Sequence, residues 1–245
     1  MKKLTYIPVT LYKLYFFLVF LITFLPLYPI YYFWLTDEKH FDKGFWLSRW
    51  HARTVLFFTF IRYEIKYEAP IDKDKVYIIA PNHQSYLDIL MLYAIIPHRF
   101  VFMAKKELGS IPLFNIFFKK FSILVDRRNP VEAKKSLEVA AQKIDLGDSV
   151  VIFPEGTIPY DTPKLKRFKN GAFKLAIEKQ TPVLPIVFKD NYKLMEDKGV
   201  WQSFARPGTA HIVVLSEIDT TGLTAEDLVP LREQVYNRIN RHLQK

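Results

Sequence analysis

The chain contains no cysteine. That excludes disulfides, thiolate metal sites and a cysteine nucleophile, and with them a disulfide-stapled secreted domain. Glycine is scarce, eight in 245 residues, and neither GxxxxGK[ST] nor GxGxxG occurs. The usual glycine-rich phosphate cradles are therefore missing. Acidic residues are in deficit, 25 against 35 lysines and arginines, which leaves a formal charge of +10. Such a balance favours an anionic partner: nucleic acid, an anionic membrane surface or a phosphorylated substrate. Nucleic acid is disfavoured, because no recognised nucleic-acid motif accompanies the charge. Internal repeats, low-complexity tracts and an obvious interdomain linker are also lacking.

Apolar residues, in contrast, are plentiful: 50% of the chain is hydrophobic and 16% aromatic. Every residue from Leu14 to Thr36 is uncharged, a run longer than the ~20 apolar residues that cross a bilayer. Pro26 and Pro29 interrupt it and bend the chain. No small-residue cleavage site follows, which weighs against a secretory signal. Lys2, Lys3 and Lys13 precede the run while the flank after it, Asp37 to Lys43, is nearly balanced, so the N-terminus is expected on the cytoplasmic side. Between Phe45 and Arg62, Trp46, Leu47, Trp50, Leu56 and Phe57 mix with Arg49, His51 and Arg53, a pattern suited to an interfacial amphipathic helix. A proline-bent hairpin dipping into one leaflet is favoured over a full crossing. Residues 1–62 are expected to anchor the chain to the cytoplasmic face of the cell (inner) membrane, and residues 63–245 to form an α/β domain.

That domain alternates β-branched runs with helical patterns. The expected strands are YEIKYE (63–68), VYIIA (76–80), RFVFMA (99–104), SILVD (122–126), VVIF (150–153), VLPIVF (183–188) and HIVVL (211–215). Helices are expected near 85–96, 112–120, 131–145, 168–179 and 225–243, the last opened by a Thr224–Asp227 capping box. This spacing predicts a largely parallel sheet flanked by helices. In such sheets, sites form beyond the carboxyl ends of the strands. His83, Arg127 and Glu155 each follow a strand and would leave the same edge.

In VYIIAPNHQSYLDIL (76–90), Ser85-x-x-Asp88 resembles a capping box, so Asp88 would stabilise a helix start whatever the function. A residue just before a helix and one in its first turn can also meet. The Asp88 carboxylate can then hold one imidazole nitrogen of His83, leaving the other outward as a base. Ser85 shares the loop with that base and nothing marks a strained nucleophile elbow, so a covalent route is disfavoured. FPEGT (153–157) ends another strand. DRRNP (126–130) places two guanidinium groups at a strand end, where phosphate recognition is a natural use. KLKRFKNGAF (164–173) gathers cations before a helix start.

Together these blocks resemble the glycerolipid acyltransferase family, especially the lysophosphatidic acid acyltransferases. NHQSYLD matches the family's histidine-x4-aspartate block, KKELGSIP…VDRR resembles its second, FPEGT its third and TPVLPIVF its fourth, all within residues 76–190. The resemblance implies direct acyl transfer from acyl-CoA or acyl carrier protein to the free hydroxyl of a lysophospholipid acceptor, with no cofactor and no metal. His83 would be the base, held by Asp88. Asn82 would position the reacting groups or stabilise the oxyanion. Arg127 would bind the acceptor phosphate, with Lys105 and Lys169 as further substrate-binding cations, and Glu155, Gly156 and Thr157 would line the acceptor site. Pro185 would shape the pocket. Ile158-Pro159 stand where the family often has Arg-Ser, so one phosphate cation is missing, and Asn115 and Phe121 stand near two absent glycines. Lys164, Lys166 or Lys169 could replace that charge; alternatively the acceptor carries less of it, as in a lyso-aminolipid. A non-catalytic lipid-binding module is the reading from another class, and it would leave His83 dispensable.

Overall fold

The computed structural model describes residues 6–36, 38–111, 113, 115–126, 128–198 and 203–244. It opens with α1 (Tyr6–Phe24), a 3-10 turn (Leu25–Leu27) and α2 (Tyr28–Thr36). Pro26 sits at the start of the 3-10 turn and Pro29 in the first turn of α2, positions where a missing N–H is tolerated. The chain therefore continues in helical conformation through Tyr28. By length and composition, Val9–Leu35 is a single run able to cross a membrane, and only 11% of it is buried by the rest of the protein.

The reversal expected at the prolines comes later, at Glu38–His40, and the second arm is α3 (Phe41–Phe58). Side-chain contacts set the arms antiparallel: Tyr12 Oη donates to the Thr59 carbonyl at 2.8 Å, and Thr23 Oγ1 lies 2.9 Å from His51 Nε2. At the turn end a Cβ on Gly44 would come within 2.7 Å of Leu35 Cδ2, so a larger residue there would have to displace the Leu35 side chain.

The body alternates as expected: β1 (Ile61–Tyr67), β2 (Ile78–Pro81), α4 (Leu87–Ile95), β3 (Phe100–Lys105), α5 (Asn115–Phe121), β4 (Ser122–Val125), α6 (Pro130–Asp145), β5 (Ser149–Val151), α7 (Gly171–Glu178), β6 (Val183–Phe188), β7 (Gly208–Val214) and α8 (Leu228–Leu243). The Thr224–Asp227 capping box is formed ahead of α8. The seven strands make one sheet in the order β1-β7-β6-β2-β5-β3-β4. All neighbours pair in parallel except β6 and β7. Five strands, β6-β2-β5-β3-β4, therefore share one carboxyl edge, which is where crossover connections leave room for a site.

Alternation along the strands splits the core into two layers. Ile79, Val151, Leu184 and Ile186 face a layer that also holds Phe24, Tyr31, Phe45, Leu56, Met91 and Phe121. Ile78, Ala80, Val150 and Val183 face Ala140, Phe173, Leu175, Leu231 and Val235. The N-terminal helices are thus one wall of the first core layer. Phe24 and Tyr31 meet Phe117 with ring centroids 5.4 and 4.4 Å apart, and Phe45 meets Phe100 at 5.1 Å.

Candidate active site

β2 ends at Pro81, and the next residues form a short loop before α4. Asn82 ties that loop to β6: its Nδ2 donates to the Phe188 carbonyl at 2.9 Å and its Oδ1 accepts from the Phe188 N–H at 2.8 Å. Both polar ends of this buried amide are thereby engaged by backbone. Asn82 extends the β2–β6 pairing by one step.

One residue on, His83 Nδ1 lies 2.8 Å from Asp88 Oδ2. Asp88 is fully buried, at 0% exposure. The same Oδ2 accepts from the backbone N–H of Gln84 (2.6 Å) and of Ser85 (3.0 Å), so the carboxylate closes the first turn of α4 as well as orienting the ring. Its other oxygen, Oδ1, accepts from Asn191 Nδ2 at 2.7 Å. With only acceptors facing it, Nδ1 must carry the proton, which leaves Nε2 as the free lone pair. Nε2 has no protein partner among the described residues. The imidazole lies flat on Phe153, ring centroids 3.9 Å apart and planes 20° from parallel. The loop's hydroxyl is not free: Ser85 Oγ donates to the Met195 carbonyl at 2.5 Å.

Sequence reasoning missed Asn191. It lies 103 residues from Asp88, in the 3-10 turn after β6, and is fully buried; no local spacing links the two. Asn191→Ala leaves Asp88 Oδ1 without its donor, and an unmade buried bond of this kind costs about 1–3 kcal/mol. The variant should unfold at lower urea concentration and show reduced kcat with unchanged KM. A midpoint and a kcat equal to those of the parent would contradict this role.

Glu155 follows β5 and is 1% exposed. Its Oε1 accepts from the His83 N–H and its Oε2 from the Lys166 N–H, each at 2.8 Å. The carboxylate thus braces the His83 loop against the 164–169 segment, with both oxygens turned to backbone instead of the cleft. Burial pushes its pKa up to about 7, the two N–H bonds pull it down, and Asp88 nearby adds to the rise. A carboxyl raised in the folded state binds protons that the unfolded chain releases, so stability falls as pH climbs from about 4.5 to about 7. Thermal unfolding followed across pH 4.5–7 should show that decline in the parent, and Glu155→Gln should flatten it. A parallel profile in the variant would assign the pH dependence elsewhere.

His83, Tyr86, Phe153, Gly156, Thr157 and Lys105 line one cavity of about 270 Å³, joined by Asp197. Gly156 has φ +75°, and a Cβ there would come 3.0 Å from Lys169 Cε and Nζ, so the lysine lies directly over it. Lys169 itself lines an adjoining cavity with Phe153 and Gly156. Arg127 lies outside the described residues. A second cavity, about 290 Å³ and almost wholly apolar, is walled by Phe16, Phe20 and Phe24 of α1 together with Phe117 and Met195. It shares Tyr86, Ile89, Phe102, Phe118 and Ser122 with the histidine cavity. The arrangement therefore sets an oriented imidazole and a lysine next to a slot suited to a hydrocarbon chain. Among the described residues no group of acidic or histidine side chains could hold a metal ion.

Comparison with known proteins places the chain in a family. The Acyltransferase family model matches residues 62–189, just over half of the chain. The 1-acyl-sn-glycerol-3-phosphate acyltransferase beta of Homo sapiens is 32% identical over 190 residues, covering 74% of this chain and 65% of that protein. The alpha enzyme of Mus musculus is 34% identical over 182 residues, covering 71% and 61%. The chain thus spans less than two thirds of the length of these relatives. The crystal structure of the 1-acyl-sn-glycerophosphate (LPA) acyltransferase PlsC from Thermotoga maritima superposes with a TM-score of 0.79 at 24% identity, covering 100% of this chain and 97% of that one, a likeness of fold. The matched segment begins at β1, ends just beyond β6 and contains His83, Asp88 and Glu155: the chain belongs to the acyltransferase family.

Proposed function

We propose that the protein transfers a fatty acyl group from a thioester, acyl-CoA or acyl carrier protein, to the free hydroxyl of 1-acylglycerol-3-phosphate, giving phosphatidic acid. The observation that carries this reading is the His83–Asp88 pair at a cavity that merges with an apolar slot walled by α1. His83 Nε2 takes the acceptor's hydroxyl proton as the oxygen attacks the thioester carbonyl; collapse of the tetrahedral intermediate then expels the thiol. Asp88 holds the ring and offsets the charge it acquires. Lys105 and Arg127, with Lys169 close by, are assigned to the acceptor phosphate, and Gly156 and Thr157 to the cavity wall. The apolar slot takes a hydrocarbon chain. No cofactor is needed, since the thioester is already activated.

The family membership and the names of the relatives support the reaction class. The barely buried run from Val9 to Leu35 supports residence in a membrane, with residues 1–62 as the anchoring part and the lysines before the run favouring its cytoplasmic face. One observation favours a second acceptor, a lysolipid that carries an amine: Asp197 sets a carboxylate in the histidine cavity, opposite in sign to Lys105.

The test is thiol release from an acyl thioester by detergent-purified protein, read with a thiol-reactive dye. The chain adds no background because it lacks cysteine. Release that requires lysophosphatidic acid supports the first reading, and release only with a lyso-aminolipid supports the second. Folded protein that releases no thiol with either acceptor or donor would refute both.

A further inference from the structure

A further cavity, about 600 Å³, lies far from His83 in the fold, between α3, edge strand β1 and the end of α4. Arg49 and Arg53 of α3 and Tyr63 and Tyr67 of β1 line it. The two guanidinium groups sit one helical turn apart on the same face. Each uses part of its donor fork at the end of α4: Arg49 Nη1 donates to the carbonyl of Ile96, just past the helix, at 2.7 Å, and Arg53 Nε and Nη2 donate to the Ala94 carbonyl at 3.2 and 2.9 Å. Among the described residues the rest of each fork has no hydrogen-bond acceptor. Arg49 Nε is buried without an acceptor, and Arg49 Nη2 and Arg53 Nη1 have none among the described residues.

Nor is the charge balanced. No carboxylate among the described residues lies within ion-pair distance of either arginine. The one acid lining the cavity, Glu68, is already engaged by Arg238 at 2.8 Å and His242 at 3.1 Å. Two adjacent cations with spare planar donors and two phenols beside them form a built receptor for a tetrahedral oxyanion.

The surroundings say where that anion resides. Trp46, Trp50 and Phe57 are on α3 too, 49%, 57% and 74% exposed, and the Arg49 guanidinium lies 5.1 Å from the Trp46 ring centroid. Exposed tryptophans interleaved with arginines are the side chains that settle at the depth of lipid headgroups. We infer that this cavity binds the phosphate of an anionic membrane phospholipid as a structural lipid, distinct from any substrate. The inference stands on α3, β1 and the end of α4 and does not rest on the acyl-transfer reading.

The test uses the full chain in neutral maltoside micelles. Bromine-labelled phosphatidylglycerol and phosphatidylcholine are titrated against tryptophan fluorescence, which bromine quenches on contact. The parent should bind phosphatidylglycerol at least tenfold more tightly than phosphatidylcholine, and millimolar inorganic phosphate should displace it. Arg49→Gln with Arg53→Gln should abolish the preference. Because those residues also cap α4, Tyr63→Phe with Tyr67→Phe provides the milder variant. It should cut the preference about threefold while melting temperature and thiol release stay unchanged. A preference that survives in both double variants, as binding in the histidine cavity would give, overturns the inference. Binding of inorganic phosphate with no preference between the two lipids assigns the cavity to a soluble anion and overturns it as well.

Discussion

His83→Ala should lower kcat for acyl transfer by about 10²–10⁴-fold, the range for removing a positioned base. Among the described residues of the cavity, the substitution takes away the only oriented, unengaged nitrogen lone pair, while the Asp88 carboxylate keeps three of its four donors. The fold should survive, since the residue sits at a loop rather than in either core layer. The loss should therefore fall on kcat, with KM changed less than threefold, because the cations proposed for the acceptor phosphate and the slot proposed for the acyl chain do not include His83. Steady-state thiol release with purified variant and parent decides it. A variant within threefold of the parent would mean that the imidazole is not the base and that another group takes the acceptor's proton.

Asp88→Asn should be nearly as damaging to turnover and more damaging to stability. The side chain keeps its shape, so the effect isolates charge and hydrogen-bond polarity. In the parent both oxygens act only as acceptors, one for His83, Gln84 and Ser85 and the other for Asn191. An amide has one oxygen and one NH₂ group. If its oxygen faces the loop, the NH₂ opposes the Asn191 donor; if it turns over, the NH₂ opposes three donors at once. Either orientation leaves buried donors unpaired, at about 1–3 kcal/mol each. In the second orientation the NH₂ donates to Nδ1, the ring proton moves to Nε2, and the base is gone; tautomer inversion of this kind costs ~10⁴-fold in a serine protease. The expected result is a kcat loss of at least 100-fold together with a clear drop in melting temperature. A variant that keeps its melting temperature and more than a tenth of its activity would show that Asp88 neither closes α4 nor sets the tautomer.

Much of this architecture can be read from the chain because it depends on local pattern. Runs such as VLPIVF and HIVVL are β-branched and apolar, and they form β6 and β7 within a few residues of the expected positions. β5 ends sooner than VVIF implies, because Phe153 leaves the sheet to lie under the His83 ring. His83 and Asp88 could be paired from sequence since only four residues separate them across a helix start. Asn191 could not, since only the return of β6 beside β2 brings it there. Glu155 was legible as a strand-end carboxylate but not as a brace, because its partners are backbone N–H groups with no signature in residue type. The position of the hairpin turn was hidden for a related reason. A proline in the first turn of a helix and a proline that breaks one look alike until the neighbouring dihedrals are known.

The shared core has a consequence for the life of the molecule. Phe24, Tyr31, Phe45 and Leu56 are nearly or fully inaccessible because they rest on the sheet domain, while Ile22, Phe33 and Phe57 on the same helices are bare. A fragment starting at β1 would shed the grease on one side only to uncover more on the other. Severing the connection near Phe60 would therefore yield no free-swimming catalyst, only two sticky halves. The N-terminal helices and the sheet are thus one folding unit, and neither keeps its apolar side chains covered without the other.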